Sequence, residues 1–237
     1  MFDLRLLGGA GLHDSRGTEV RSVLQQPKRW ALLAYLAAAR PRGFHRRDTL
    51  LALFWAELDE AAARNSLGQA VHFLRRELGA GVLVNRGRSE LGLAEGAVRC
   101  DAVEFEGEIA AGRPERALAL YRGDLLAGFH LAGAPELGQW MDGERARLRA
   151  LAAGTARRVA DERAAAGDPA EACRWMRFAT GLDPLDERGV RRLLRLLDAA
   201  GDRSAALQAY DDFARRLRDE LQAEPGAETR ALADELR

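Results

Sequence analysis

Four polar side chains between Ala62 and Gly79 have the chemistry needed to read the edges of DNA bases. Asn65, Gln69, His72 and Arg76 are spaced i, i+4, i+7 and i+11, so they form one stripe along a helix. Asn and Gln amides pair bidentately with adenine, Arg pairs bidentately with guanine, and the His imidazole can donate or accept. We call these residues the polar stripe and predict that they face bases in a major groove. An ordinary solvated helix face is the alternative.

The segment that carries the polar stripe is predicted to be an amphipathic helix over 62–79. Its apolar residues fall on the opposite side and are predicted to pack inward: Leu67, Ala70, Val71, Leu74 and Leu78. Gly68 is unfavourable inside a helix by about 1 kcal/mol relative to alanine. Arg64 and Arg75 flank the polar stripe, where the phosphates of a bound duplex would run.

Several shorter elements are predicted before this helix. Phe2, Leu4 and Leu6 alternate with polar residues, which indicates a half-buried strand. Further strands near Leu12 and through Val20 and Val23 would complete a small antiparallel sheet. Helices are predicted over 27–39, where Pro27 suits the first turn, and over 46–55.

A β-hairpin is predicted after the helix, with apolar strands on either side of the polar tip 85–89. The tip carries Arg86 and Arg88. An ordinary basic turn is one interpretation, but three helices followed by an arginine-tipped hairpin are typical of a winged helix, whose hairpin contacts the phosphate backbone or the minor groove. Lys28 and Arg47 are further candidates for phosphate contacts.

The second half of the chain contains a repeated pattern. Segments 110–121, 165–176 and 199–210 each contain a helix end, a Gly turn, an alanine five residues after the glycine and a large side chain four residues later. Gly167 and Gly201 are 34 residues apart, which is the period of tetratricopeptide repeats. A long helix is predicted over 135–166 between the first two copies. The predicted fold class is therefore mainly α with small antiparallel β elements, the second half being all-α and similar to tetratricopeptide repeats.

Charge is distributed unevenly although the formal net charge is +0. Residues 1–100 contain 15 Lys+Arg and 10 Asp+Glu, whereas the remainder contains 21 and 26. A basic front half suits a polyanion, and the acidic half suits a different partner. No membrane span or signal peptide is predicted, and the isolated Cys100 and Cys173 are interpreted as packing residues, so we expect a cytosolic protein.

The residues of an enzyme active site are missing from the sequence. The four histidines are scattered without metal-ligand spacing, and neither a nucleophile motif nor a phosphate-binding loop occurs. We therefore expect no catalysis, no metal and no cofactor.

Several stretches resemble one family of regulators. GFHRRDTLLALFW, ARNSLGQAVHFLRRELG and VLVNRGRSELGL resemble the OmpR-type winged helix of antibiotic-regulatory transcriptional activators (the SARP family), as do the opening LRLLG and KRWALLAYLA. YRGDLLAGF followed by PELGQWMDGERARLRAL resembles the bacterial transcriptional activation domain that follows it in those proteins. The resemblance implies a DNA-binding domain over 1–98 and an activation domain over 99–237.

The same resemblance gives the predicted elements their roles. It makes 62–79 the recognition helix, and it places Arg86 and Arg88 in the wing. It further implies binding to short direct repeats in double-stranded DNA, recruitment of RNA polymerase, and possible self-association on DNA. Two alternatives stay open from the sequence: a non-enzymatic interaction scaffold whose winged helix binds protein, and a repressor with the same domains.

Overall fold

The computed structural model describes residues 1–237 and is mainly helical, with two small sheets. In chain order the elements are β1 (Phe2–Arg5), β2 (Gly11–His13), α1 (Arg21–Leu24), α2 (Pro27–Ala38), β3 (Phe44–Arg46), α3 (Arg47–Trp55), α4 (Glu60–Leu78), β4 (Leu83–Arg86), β5 (Glu90–Leu93), β6 (Val98–Cys100), α5 (Asp101–Ala110), α6 (Pro114–Leu120), α7 (Pro135–Ala165), α8 (Pro169–Leu182), α9 (Glu187–Ala199), α10 (Arg203–Leu221) and α11 (Ala227–Glu235). The predicted fold class, mainly α with small sheets and an all-helical second half, is confirmed.

Two compact units make up the chain, Met1–Ala146 and Arg147–Arg237. Both sheets lie in the first unit, and the second unit contains helices alone. The domain boundary between residues 98 and 99 stays a prediction. None of the helices combines the length and the apolar content needed to cross a bilayer.

The first sheet has the strand order β2-β1-β6, with the N-terminal strand in the middle. Strand β1 is antiparallel to β2, where Leu4 faces Leu12, and parallel to β6, where Leu4 faces Cys100. The predicted third strand through Val20 and Val23 is wrong. Val20 donates one backbone hydrogen bond to Leu12 (2.8 Å), and the chain then turns into the short helix α1, which buries Val23.

The chain beyond β1 pairs with a segment more than a hundred residues away. The Gly8 amide donates to the Asp124 carbonyl at 3.1 Å, and the Leu126 amide donates to the Leu6 carbonyl at 2.7 Å. Gly8 has φ +82°, and a Cβ built on it would lie 2.6 Å from the Arg122 carbonyl oxygen. Only glycine fits where these two segments cross, because real Cβ atoms essentially never lie within 3.0 Å of a backbone atom.

The second sheet has the order β3-β5-β4, so the predicted hairpin β4–β5 has a third strand. Strand β3, which the sequence pattern did not predict, is antiparallel to β5, and Arg46 faces Glu90. Across the hairpin Leu83 faces Leu93. Because β3 runs directly into α3, the start of α3 is fixed beside the hairpin.

A cluster of aromatic rings is centred on Tyr35 of α2 and includes His45 of β3. The Tyr35 ring centre lies 5.1 Å from that of His45, 6.0 Å from that of Phe54 and 4.8 Å from that of Trp140. His45 is buried, and its Nε2 atom has no hydrogen-bond partner. Burial, with a smaller contribution from the positive charge of Arg42, holds the pKa of His45 below its ordinary value.

We therefore expect the first unit to lose stability in mild acid. With its pKa lowered in the folded state, His45 binds a proton more readily when the chain unfolds, so the free energy of unfolding falls as pH drops through about 6.5, the ordinary His value. Replacing His45 by Phe keeps a ring and removes the titration. Denaturant unfolding at pH 7.5 and pH 5.5 should show a smaller acid loss in this variant than in the wild type. A Gln variant of the exposed His130 is the control; equal acid loss in all three proteins would contradict the assignment.

The three repeated sequence segments each form a helix, a glycine turn and a second helix. Gly112, Gly167 and Gly201 have φ values of +71°, +78° and +79°. After each glycine the next amide donates to the carbonyl five residues back, as in a Schellman motif. The alanines five residues after the glycines are each 0% exposed: Ala117, Ala172 and Ala206. The small side chains permit close packing of neighbouring helices, as the repeat pattern predicted.

Candidate nucleic-acid interface

Helix α4 carries the polar stripe and begins two residues earlier than the sequence predicts, at Glu60. The Asp59 carboxylate caps it by accepting a hydrogen bond from the Ala62 amide at 2.8 Å. Helix α4 continues through Gly68, and no atom lies within 4 Å of a Cβ built on this residue. All five predicted inward residues are buried, together with Ala63. This packing fixes which side of α4 faces solvent.

The four residues of the polar stripe are all exposed. The side chains of Asn65, Gln69 and His72 make no hydrogen bond within the protein, so their polar groups are available to a ligand. Arg76 differs, because its Nε and Nη2 atoms both donate to one oxygen of Glu77, at 2.9 and 2.8 Å. The Glu77 carboxylate also accepts from the Ser22 hydroxyl at 2.7 Å, which lowers its pKa. The base-reading role of the stripe stays a prediction.

The hairpin presents two arginines with different surroundings. Arg86 is bound to Glu90 at 2.5 Å, and its guanidinium lies 4.7 Å from the centre of the Phe44 ring. Arg88 is exposed and makes neither an ion pair nor a hydrogen bond. An anion would therefore meet an uncompensated charge at Arg88, whereas Arg86 shares its charge with a carboxylate.

A cleft of about 590 Å³ lies between the start of α3, helix α4 and the hairpin. We call it the hairpin-side cleft. Its polar lining comes from Arg47, Asp48, Arg64, Asn85, Arg88 and Ser89. Three of the predicted phosphate-binding arginines therefore meet in one place, although Arg64 also pairs with Glu60 at 2.5 Å.

Arg47 and Arg75 form a positively charged pair beside this cleft. Arg47 donates to the Asn85 side-chain oxygen and Arg75 donates to the Leu83 carbonyl, both at 3.0 Å. These acceptors are neutral, so neither guanidinium charge is cancelled. Burial is the main cause that lowers the pKa of Arg47, and the positive charge of Arg75 adds to it.

Lys28, the remaining predicted phosphate contact, does not line the hairpin-side cleft. Its Nζ atom is bound to Glu57 at 2.6 Å and lies 5.7 Å from the centre of the Trp55 ring. The neighbouring Arg29, which sequence reasoning did not select, lies over the Phe73 ring of α4. The basic pair at the start of α2 was the available signal, but its proximity to α4 depends on tertiary packing. No cluster of His, Cys, Asp and Glu side chains suits a metal ion.

Comparisons with known proteins give one family match and one structural relative. Residues 88–237 match the model of the bacterial transcriptional activator domain. The structure is similar to that of Mycobacterium tuberculosis EmbR in complex with a low affinity phosphopeptide, with 25% sequence identity and a TM-score of 0.65. That match covers 99% of this chain and 64% of the EmbR chain, so this chain spans less than two thirds of its structural relative. A search of curated proteins gave no match.

The family match extends over more than half of the chain and includes the second hairpin strand β5, the helices α5 to α11 and the three glycine-centred repeats. The part of the predicted resemblance that concerns the activation domain is thereby confirmed. This chain belongs to the bacterial transcriptional activator domain family.

Proposed function

We propose that this protein is a sequence-specific, DNA-binding activator of transcription whose first 98 residues act as an OmpR-type winged helix. The observation that carries the proposal is the exposed polar stripe beside the hairpin-side cleft, where Arg88 is unpaired and Arg47 binds a neutral acceptor. A helix that enters a major groove needs unengaged hydrogen-bonding groups on its outer face and positive charge where the phosphates run.

The two sets of side chains have separate tasks in this proposal. The polar stripe contacts bases and sets sequence preference. A second set contacts phosphates and fixes the register of the protein on the duplex: Arg47, Arg64, Arg75, Arg86, Arg88 and Lys28. No catalytic step and no cofactor are part of the proposed activity, which would take place in the cytosol.

The family membership supports activation as the outcome of binding. We infer that the acidic second half contacts RNA polymerase, or a second copy on adjacent direct repeats, after the winged helix has bound. A reporter assay with the bound site placed upstream of a promoter distinguishes activation from repression. Increased transcription supports an activator, whereas decreased transcription at every position of the site would identify a repressor.

The DNA-binding step is tested by selecting a duplex from a random pool. The affinity for this selected duplex is then measured at several salt concentrations. Neutralising several phosphates gives a log–log slope of about −0.9 for each one, so the affinity should fall steeply as salt rises. A shallow slope, with no sequence enriched by the selection, would show instead that the winged helix serves as a protein-interaction module.

One prediction concerns Glu77, which holds Arg76 in the free protein. Replacing Glu77 by Gln weakens this ion pair and removes a negative charge beside the bound phosphates. Exposed ion pairs contribute about 0.2 to 1 kcal/mol, so we expect the selected duplex to bind up to about fivefold more tightly. Fluorescence anisotropy with labelled duplex measures the change, and Glu235→Gln, a charge-matched substitution at an exposed residue, is the control. Weaker binding by Glu77→Gln would show that Glu77 orients Arg76 productively.

A further inference from the structure

A second cleft lies beside helix α4, and the function proposed above uses only two of its lining residues, Lys28 and Gln69. It measures about 420 Å³, and we call it the α2-side cleft. Its polar lining comes from the start of α2 and from α4: Gln26, Lys28, Arg29, Ser66 and Gln69. Gln69 belongs to the polar stripe, so this cleft opens directly next to the predicted base-reading surface.

The two clefts flank the polar stripe on opposite sides. At 3.6 residues per turn, Ser66 and Phe73 lie about 80° to one side of the stripe, whereas Arg64 lies about 110° to the other side. Ser66 lines the α2-side cleft and Arg64 lines the hairpin-side cleft. The exposed face of α4 therefore has a cation-lined depression along each edge.

Arg29 provides an uncompensated charge at the α2-side cleft. Its guanidinium lies 4.1 Å from the centre of the Phe73 ring, and the guanidinium of Arg76 lies 5.1 Å from the same ring. Arg29 makes no ion pair with a carboxylate, unlike Lys28, which is bound to Glu57. The aromatic ring orients the Arg29 guanidinium without cancelling its charge.

We propose that the α2-side cleft binds the phosphate backbone of one DNA strand through Arg29, while the hairpin-side cleft binds the backbone of the other strand. The inference rests on the proposed function. A helix in a major groove has one sugar-phosphate backbone along each side, and the groove is about 12 Å wide. The two clefts lie where those backbones pass. Arg29 thereby becomes a phosphate contact that acts on the strand opposite to the one contacted by Arg88.

The test uses the full chain and the selected duplex, with one phosphate at a time replaced by an uncharged methylphosphonate. Arg29→Gln should reduce the salt slope by about 0.9, which corresponds to the loss of one phosphate contact. At one phosphate of one strand, the methylphosphonate should leave the affinity of Arg29→Gln unchanged. The same replacement should weaken binding by the wild type and by Arg88→Gln. Arg88→Gln should show the same insensitivity at a position on the complementary strand.

Two further variants keep the result interpretable. Arg203→Gln removes one positive charge from α10 and should leave the salt slope unchanged. Arg29→Lys retains the charge and should keep most of the slope, which separates phosphate binding from any loss of packing on Phe73; melting curves without DNA confirm folding. If Arg29→Gln keeps the wild-type slope, the proposal for the α2-side cleft is wrong and the proposed function stands. If the wild type itself binds duplex without salt dependence, both fail.

Discussion

Replacement of Gly8 by alanine is expected to lower the free energy of unfolding of the first unit by about 2 to 4 kcal/mol. Two effects add. The backbone at φ +82° disfavours any side chain by about 1 to 2 kcal/mol, and the new methyl group would lie 2.6 Å from the Arg122 carbonyl oxygen. The backbone at Arg122 has to move away from the new methyl group, which disturbs the hydrogen bonds of Gly8 and Leu126.

Gly17 offers a matched control for this change. It has the same φ of +82°, but no atom lies within 4 Å of a Cβ built there. Gly17→Ala should therefore show the backbone penalty alone, about 1 to 2 kcal/mol. Denaturant titration followed by tryptophan fluorescence measures both variants, because Trp30 is buried in the first unit. Equal losses for the two variants would mean that the close approach at Gly8 relaxes without cost.

Replacement of Arg76 by alanine is expected to weaken binding to the selected duplex by about 1 to 3 kcal/mol, or about 5- to 150-fold. In the complex, Arg76 would leave Glu77 and donate two hydrogen bonds to a guanine. Because a base contact is lost, the variant should also lose its preference at one base pair. Affinity for the selected duplex and for its single-base variants, measured at one salt concentration, gives both quantities.

Arg88→Ala provides the contrast, since Arg88 is proposed to contact a phosphate. It should weaken binding to all duplexes by a similar factor and reduce the salt slope. The two variants thus separate reading of bases from attraction to the backbone. Were Arg76→Ala and Arg88→Ala both to bind like the wild type, the orientation of α4 in the groove would have to be rejected.

Helices and turns with a local cause were predictable from the sequence. Helix α2 follows from Pro27 and an apolar run, and α4 follows from apolar residues at helical spacing. The repeats in the second half were visible because each turn needs a glycine at positive φ, followed at a fixed distance by a small buried alanine. In each case the residues that indicate the helix or turn lie within it or a few residues away.

Elements that depend on distant partners were missed. Strand β6 is three residues long and owes its position to β1, more than ninety residues earlier. Strand β3 is equally short and pairs with the hairpin. Val20 and Val23 resemble strand residues in composition, but after one backbone hydrogen bond from Val20 to β2 the chain enters a helix at Arg21. Short strands carry too little local pattern to indicate pairing.

The same limit applies to the candidate interface. Exposure of the polar stripe follows from the helical period, and the structure shows all four side chains at the surface. The sequence gives no indication that Glu77 holds Arg76, nor that Phe73 lies between Arg29 and Arg76. Both depend on side-chain geometry and on the packing of α2 against α4.

The central position of β1 has a consequence for biosynthesis. Within the first unit, β1 is synthesised well before its partners, because its neighbour β6 ends at Cys100 and the segment that pairs with Leu6 and Gly8 ends at Leu126. Such long sequence separation slows folding, because loop closure must precede the contact. Until β6 has been synthesised, β1 has an open edge, which is a template for unwanted pairing. Folding of the first unit is therefore expected to be late and cooperative during translation.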